Sequence, residues 1–176
     1  LILFQSLKHH YPFKRACFYA LFQSISAFCN AGLDITQEGM KQYSSDYLML
    51  STLSSLMMLG GIGFITLKEL FDHYNPLKAI GKKLLSLQTR IILSYYFFFV
   101  TLNSFIFWFL ERKNTFEFMT LPEQIANSFF ISVSSRSAGF LTVYANDMQL
   151  ASLLSLMVNS FIGSAPGSTG SGIKLT

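Results

Sequence analysis

Charge is scarce in this chain. Only 12% of its 176 residues are Asp, Glu, Lys or Arg, against roughly 25% in average soluble domains. Cysteine is nearly absent as well. Cys17 and Cys29 share one apolar stretch, with no C-x-x-C pair and no histidine at metal spacing, so they read as two small buried side chains. His9, His10 and His73 sit in basic loops without a surrounding carboxylate cluster, which argues against a metal centre. No nucleophile–base set occurs, so an enzyme is not expected, and no cofactor is called for. The net charge of +4 brings no basic stripe interleaved with aromatics, so nucleic acid is not an expected partner. The residues before Lys8 are too few for a signal-peptide core. The expectation is a portion of a longer protein.

Apolar side chains are abundant instead. Half the chain is hydrophobic and phenylalanine alone occurs 19 times, more than a soluble domain of this length hides easily. Three long runs carry no charge: 47–67, 91–110 and 148–173. Each reaches the length of about 20 helical residues that covers the roughly 30 Å hydrocarbon core of a bilayer. The chain is therefore read as all-α and integral to a membrane, with lipid as its surrounding solvent.

Two further apolar stretches are too short to span. Residues 16–29 and 124–135 would make helices of about 18–21 Å at ~1.5 Å per residue. Each is followed by a small-residue turn containing glycine. They read as re-entrant helices, tolerated at membrane depth where protein or a watery cavity receives the chain that follows. Aligning Gly32 with Gly139 superposes Ala31-Gly32-Leu33 on Ala138-Gly139-Phe140. The same offset lays the run 47–67 on 154–174, and Gly60-Gly-Ile-Gly-Phe64 on Gly167-Ser-Thr-Gly-Ser171, without a gap. Agreement of three features at one offset predicts a structural repeat.

The repeat has physical content. A short helix that dips into the membrane carries its partially negative C-terminal end inward, which favours a cation. An extended strand after it can offer carbonyl oxygens in place of a hydration shell. Glycine C-caps in a soluble bundle would explain the turns more blandly, but not the uncharged runs behind them. The segment of Gly163, Ser164, Ala165, Pro166, Gly167, Ser168, Thr169, Gly170, Ser171 and Gly172 cannot continue a regular helix cheaply, because proline removes a donor and glycine adds conformational freedom. It should unwind inside the membrane. A phosphate-binding loop would need G-x-x-x-x-G-K-[ST], and here Ile173 separates Gly172 from Lys174.

These residues resemble the Trk/Ktr/HKT superfamily of potassium transporters, whose members look like four joined M1–pore loop–M2 units of the potassium-channel kind. The segment 26–34 is similar to the second pore loop, 135–140 to the third, 59–64 to the helix after the second, and 161–174 to the broken helix after the third. The resemblance implies the second unit over 1–67, with pore helix 16–29, filter 30–33 and spanning helix 47–67. A cytoplasmic connection follows over 68–90. The third unit covers 91–176, with spanning helix 91–110, pore helix 124–135, filter 137–140 and broken helix 148–176. Asn30, Ala31, Gly32 and Leu33, with Ser137, Ala138, Gly139 and Phe140, would offer backbone carbonyls to K⁺ as the transported ion, or to Na⁺. Gly163 to Gly172 would be the intramembrane gating loop. By the same resemblance the first and fourth units are missing, with the fourth unit's arginine that faces the loop. A homodimer in the cell membrane and a cytoplasmic nucleotide-binding regulatory ring are implied by family likeness alone.

Charge placement orients the spans. Lys68, Lys78, Lys82, Lys83, Arg90 and Lys174 lie at one side, and Lys41, Arg112 and Lys113 at the other, so the 68–90 connection is expected in the cytoplasm. Lys8, Lys14 and Arg15 cut against this but flank a re-entrant segment. Arg136 precedes the second filter-like strand. A guanidinium there is expensive unless paired or wet, so it either braces the pore loop, against a carboxylate for example, or faces a watery vestibule. Asp34 and Asp147 could concentrate cations at the mouth. Rival readings are a transporter of another class with a midplane site built from broken helices, and a membrane scaffold that transports nothing.

Overall fold

A computed structural model describes residues 2–8, 10–36, 39–74 and 85–173. Among these residues seven α-helices run in order: α1 Ile2–Leu7, α2 Phe13–Phe28, α3 Tyr47–Ile62, α4 Phe64–Tyr74, α5 Leu87–Glu111, α6 Leu121–Ser134 and α7 Leu150–Phe161. Single 3₁₀ turns, Gly39–Tyr43 and Ala145–Asp147, precede α3 and α7. α5 spans 25 residues, about 37 Å of helix, and so exceeds the hydrocarbon thickness. It leaves Ile91, Phe97, Phe98, Phe105 and Phe109 exposed, an apolar face of the kind that meets lipid or a protein partner.

α3 forms the centre and packs against α1, α2, α4, α5 and α6. The main core joins Met49, Leu50, Leu53 and Met57 of α3 to Ala16, Ala20 and Ala27 of α2, Tyr96 and Val100 of α5, and Phe130 and Val133 of α6. Polar side chains link helices inside this apolar mass. Asn159 of α7 donates to Asn103 of α5 at 2.8 Å, and Ser132 of α6 donates to the Val100 carbonyl at 2.8 Å. Such bonds contribute about 0.6–2 kcal/mol each between membrane helices. Asn103 and Asn159 stand out in the sequence as polar residues within uncharged runs, but their pairing does not.

The helix starts are locally encoded. Asp46 accepts from the Met49 amide at 3.0 Å and Ser86 from the Thr89 amide at 3.2 Å, both N-caps. Glu123 accepts from the Thr120 amide and hydroxyl, each at 2.8 Å, and these bonds hold its carboxyl below the usual carboxylate range. Glu69 of α4 accepts from Ser86 and Thr89, which brings the two described ends of the 68–90 connection together. The rest of that connection, including Lys78, Lys82 and Lys83, lies outside the described residues, as does Lys174.

The fully buried Glu111 closes α5. Its Oε2 accepts from Asn114 Nδ2 and Thr115 Oγ1, both at 2.9 Å, and its Oε1 accepts from the Gln149 amide at 2.9 Å, at the start of α7. Glu111→Gln would set an NH₂ donor against groups that already donate. Charge-assisted bonds of this kind contribute about 1.5–3 kcal/mol each, so E111Q should destabilise by about 2–3 kcal/mol. Thermal unfolding of the full-length parent in detergent checks this; an unchanged midpoint would count against it.

Three expectations need correction. The run 47–67 is not one spanning helix: it breaks at Gly63, where φ is +91°, and α4 turns 101° away from α3. A Cβ at Gly63 would lie 2.7 Å from the Pro166 carbonyl oxygen, and the Phe64 amide donates to the Gly167 carbonyl at 3.1 Å. The 163–172 segment thus occupies the corner and takes up a donor that the break frees. Secondly, the repeat is not gapless. The short helices correspond well, but Tyr47 at the start of α3 lies further beyond Gly32 than Leu150 at the start of α7 lies beyond Gly139. The earlier of the two repeats carries the longer 3₁₀ turn, Gly39–Tyr43 against Ala145–Asp147. Thirdly, Cys17 and Cys29 are exposed rather than buried. They share the outward face of α2 with Phe18, Leu21, Ile25 and Phe28, also exposed. Apolar surroundings in sequence do not say which helix face is covered.

Candidate ion-coordinating turns and the loop beneath them

Both turns grow from the C-terminal ends of short helices. At the end of α2 the Asn30 amide donates to Ala27 O at 3.1 Å and the Ala31 amide to Ser26 O at 2.9 Å, the pattern of a left-handed helix cap. Asn30 supplies the left-handed residue at φ +51°, alone among the described non-glycine residues; asparagine tolerates this region better than most. At the end of α6 a single carbonyl, Ser134 O, accepts from the Ala138 and Gly139 amides, both at 3.0 Å. Gly32 and Gly139 follow at φ +67° and +81°, where glycine has no steric penalty.

Each strand is then pinned back to its helix by a serine. Ser26 Oγ donates to Leu33 O at 2.8 Å, and Ser134 Oγ donates to Phe140 O at 2.7 Å. The carbonyls of Leu33 and Phe140 therefore turn toward their own helices. Neither serine stands out as a site residue in the sequence, although each lies within two helical turns before the residue it pins.

The turns converge. A Cβ placed on Gly32 would lie 1.8 Å from the Ala138 carbonyl oxygen, whereas one on Gly139 would meet nothing within 4 Å. The 163–172 segment docks against both turns. The Gly163 amide donates to Ile173 O at 3.1 Å and the Ile173 amide to Phe161 O at 3.0 Å, which closes its neck. The Ala165 and Thr169 amides donate to Gly61 O and Gly60 O, each at 3.2 Å. Gly60-Gly-Ile-Gly-Phe64 and the loop, aligned in sequence as equivalents, are thus packed on each other. Gly170 is wedged in, since a Cβ there would lie 2.0 Å from Ser164 Oγ and 2.9 Å from Ser137 Oγ.

Arg136 reaches the loop as well. It is 2% exposed, its Nη2 donates to Gly163 O at 2.9 Å, and its guanidinium lies 4.5 Å from the Tyr96 ring centre and 5.8 Å from that of Phe99. No carboxylate pairs with it among the described residues; a loop carbonyl and aromatic faces stand in that place, an arrangement that desolvated cation–π contact favours. Asp34 is engaged rather than free: its Oδ1 accepts from Gln23 at 3.0 Å and from the amide and hydroxyl of Thr36 at 2.9 and 2.7 Å. Asp147 is exposed at the end of a 3₁₀ turn, and its carbonyl accepts from Asn114 Nδ2 at 2.7 Å. Chemically, the site presents backbone oxygens, hydroxyls and negative helix ends, a donor set for a hard monovalent cation.

The sequence profile of the TrkH family, described as "Cation transport protein", matches residues 1–176. The chain is 36% identical over 161 residues to "Ktr system potassium uptake protein B" of Vibrio alginolyticus, covering 90% of this chain and 34% of that protein. It is 27% identical over 164 residues to "Potassium/sodium uptake protein NtpJ" of Enterococcus hirae, covering 92% and 35%. The fold is similar to the crystal structure of the potassium transporter TrkH from Vibrio parahaemolyticus, with a TM-score of 0.70 at 23% identity over 89% of this chain and 32% of that one. The chain spans about a third of the length of these relatives.

Proposed function

Because the chain belongs to the TrkH family of cation transport proteins, we propose that it supplies two pore-loop units to a membrane subunit that takes up potassium. Residues 1–67 form the end of one unit and 91–176 most of the next, with 68–90 crossing between them on the cytoplasmic side. The carrying observation is the contact of the two glycine turns at the C-terminal ends of α2 and α6, with the 163–172 loop held against both. Oxygens of Asn30, Ala31 and Gly32, and of Ser137, Ala138 and Gly139, line the ion path. Those of Leu33 and Phe140 support the strands instead, through Ser26 and Ser134. The loop obstructs the path and moves aside, and Arg136 braces the second turn against it. Two turns make half of a four-part carbonyl ring, so selective conduction belongs to the whole parent protein. Sodium as a second cargo is compatible with this donor set.

The test is growth. A potassium-uptake-deficient strain expressing the full-length parent should grow at low potassium where the empty strain does not, and should accumulate K⁺ from medium. Parent protein present in the membrane with no gain in growth or uptake would overturn the reading.

A further inference from the structure

The Thr169 hydroxyl is the point at which the loop touches the first filter turn. It donates to Phe28 O at 3.0 Å and accepts from Asn30 Nδ2 at 2.9 Å. Phe28 is the last residue of α2. The preceding carbonyls of Ile25, Ser26 and Ala27 are taken by the amides of Cys29, Ala31 and Asn30, so the loop supplies the hydroxyl that Phe28 O accepts. Close approach depends on Gly60, where a Cβ would lie 2.0 Å from Phe28 O, 2.8 Å from Thr169 Oγ1 and 3.0 Å from Asn30 Nδ2. Four parts of the chain therefore meet at one hydroxyl: the pore-helix end, the filter's first residue, the α3 corner and the loop.

We propose that Asn30 and Thr169 form a releasable latch that holds the 163–172 loop closed against the first filter turn. The proposal rests on the transport reading above and names the residues that set the loop's resting position. The bonds are neutral, and Thr169 is exposed. Such bonds have small net strength because water can replace either partner. That suits a contact that must break and re-form. Release frees Phe28 O at the negative end of α2, where a cation is favoured. An ion arriving there competes with Thr169 for the same oxygen, so ion occupancy and loop position are linked.

The experiment uses the full-length parent in liposomes, with potassium flux read by an electrode and thermal unfolding measured alongside. Thr169→Val keeps the shape and removes the hydroxyl. Asn30→Gly removes the donor and suits the positive φ. Asn30→Gly should raise flux by about fivefold, the population shift expected from losing one neutral bond from the closed state, and Thr169→Val, which loses both bonds of the hydroxyl, by at least as much. The double variant should rise no further than Thr169→Val alone, because that change already removes both bonds of the latch. Thr169→Ser, which restores the hydroxyl, should return flux toward the unsubstituted value. Flux at or below the unsubstituted level in N30G, with the unfolding midpoint retained, overturns the latch, and so does full additivity in the double variant. Absence of any potassium flux before substitution overturns the transport reading itself, and is recognised by that.

Discussion

Gly32→Ser should be the most damaging single change in the two turns, and far worse than the same change at Gly139. Two costs coincide at Gly32. Its φ of +67° costs a side-chain-bearing residue about 1–2 kcal/mol. Its Cβ would stand 1.8 Å from the Ala138 carbonyl oxygen, so one turn must move away from the other. Displacing packed backbone costs a further ~1–3 kcal/mol, against a total stability of about 5–15 kcal/mol. At Gly139 the backbone cost is similar, but no atom lies within 4 Å of the added carbon. G32S should therefore lower the unfolding midpoint clearly more than G139S. Function should follow geometry. Separating the turns by even about 1 Å spoils the fit of carbonyl oxygens to a dehydrated ion, so K⁺ over Na⁺ discrimination by the full-length parent should fall about tenfold or more in G32S. Equal midpoints for the two variants, or intact discrimination in both, would remove the basis for assigning these turns to a filter.

Arg136→Gln should separate stability from transport. The guanidinium loses one hydrogen bond to Gly163 O and its contact with the Tyr96 ring, together about 2–4 kcal/mol. Against this, its Nε and Nη1 have no protein partner among the described residues, and burying an incompletely paired charge costs several kcal/mol. The two effects nearly cancel, so R136Q should stay within about 1–2 kcal/mol of the parent in stability. Transport has no such compensation. Gly163 begins the loop, and Arg136 is the covalent neighbour of Ser137, so the variant uncouples the loop's neck from the second turn. Potassium uptake at low concentration should drop about tenfold, the ~1.4 kcal/mol equivalent of one charge-assisted bond. Arg136→Lys keeps the charge but not the planar fork that stacks on Tyr96, and should recover only part. Unchanged uptake together with unchanged stability in R136Q would end the bracing role.

Much of the architecture is readable from residue order. The uncharged run 91–110 falls within α5, the described helix long enough to span, because unpaired charge is excluded from hydrocarbon, while 47–67 bends at Gly63 and 148–173 yields only the short α7 before its loop. The two short helices fall close to α2 and α6 for the same reason: their apolar lengths stop short of a bilayer's thickness. The Gly/Ser-rich segment after α7 has to unwind, since proline and repeated glycine cannot sustain a helix there. Less accessible are the bend at Gly63 and the partner of Arg136. Gly60-Gly-Ile-Gly63 permits a break but does not demand one; the break needs the loop to fill the corner and bond the Phe64 amide. Arg136 needs something to relieve its burial. Sequence leaves a bracing partner such as a carboxylate and a watery vestibule both open, whereas the fold offers the carbonyl of Gly163, beyond the whole of α7, and an aromatic ring on α5.

The two A-G-[LF] turns show the division most clearly. Residue type alone assigns their glycines, because positive φ at Gly32 and Gly139 is a local demand, written in the backbone of each turn. Their meeting is not local. Ala138 O reaches Gly32, Thr169 reaches Phe28 and Asn30, and Arg136 reaches Gly163 only because α3 packs between α2 and α6 and brings remote segments within hydrogen-bond range. Local chemistry determined what each turn could be, and long-range packing decided what it faces.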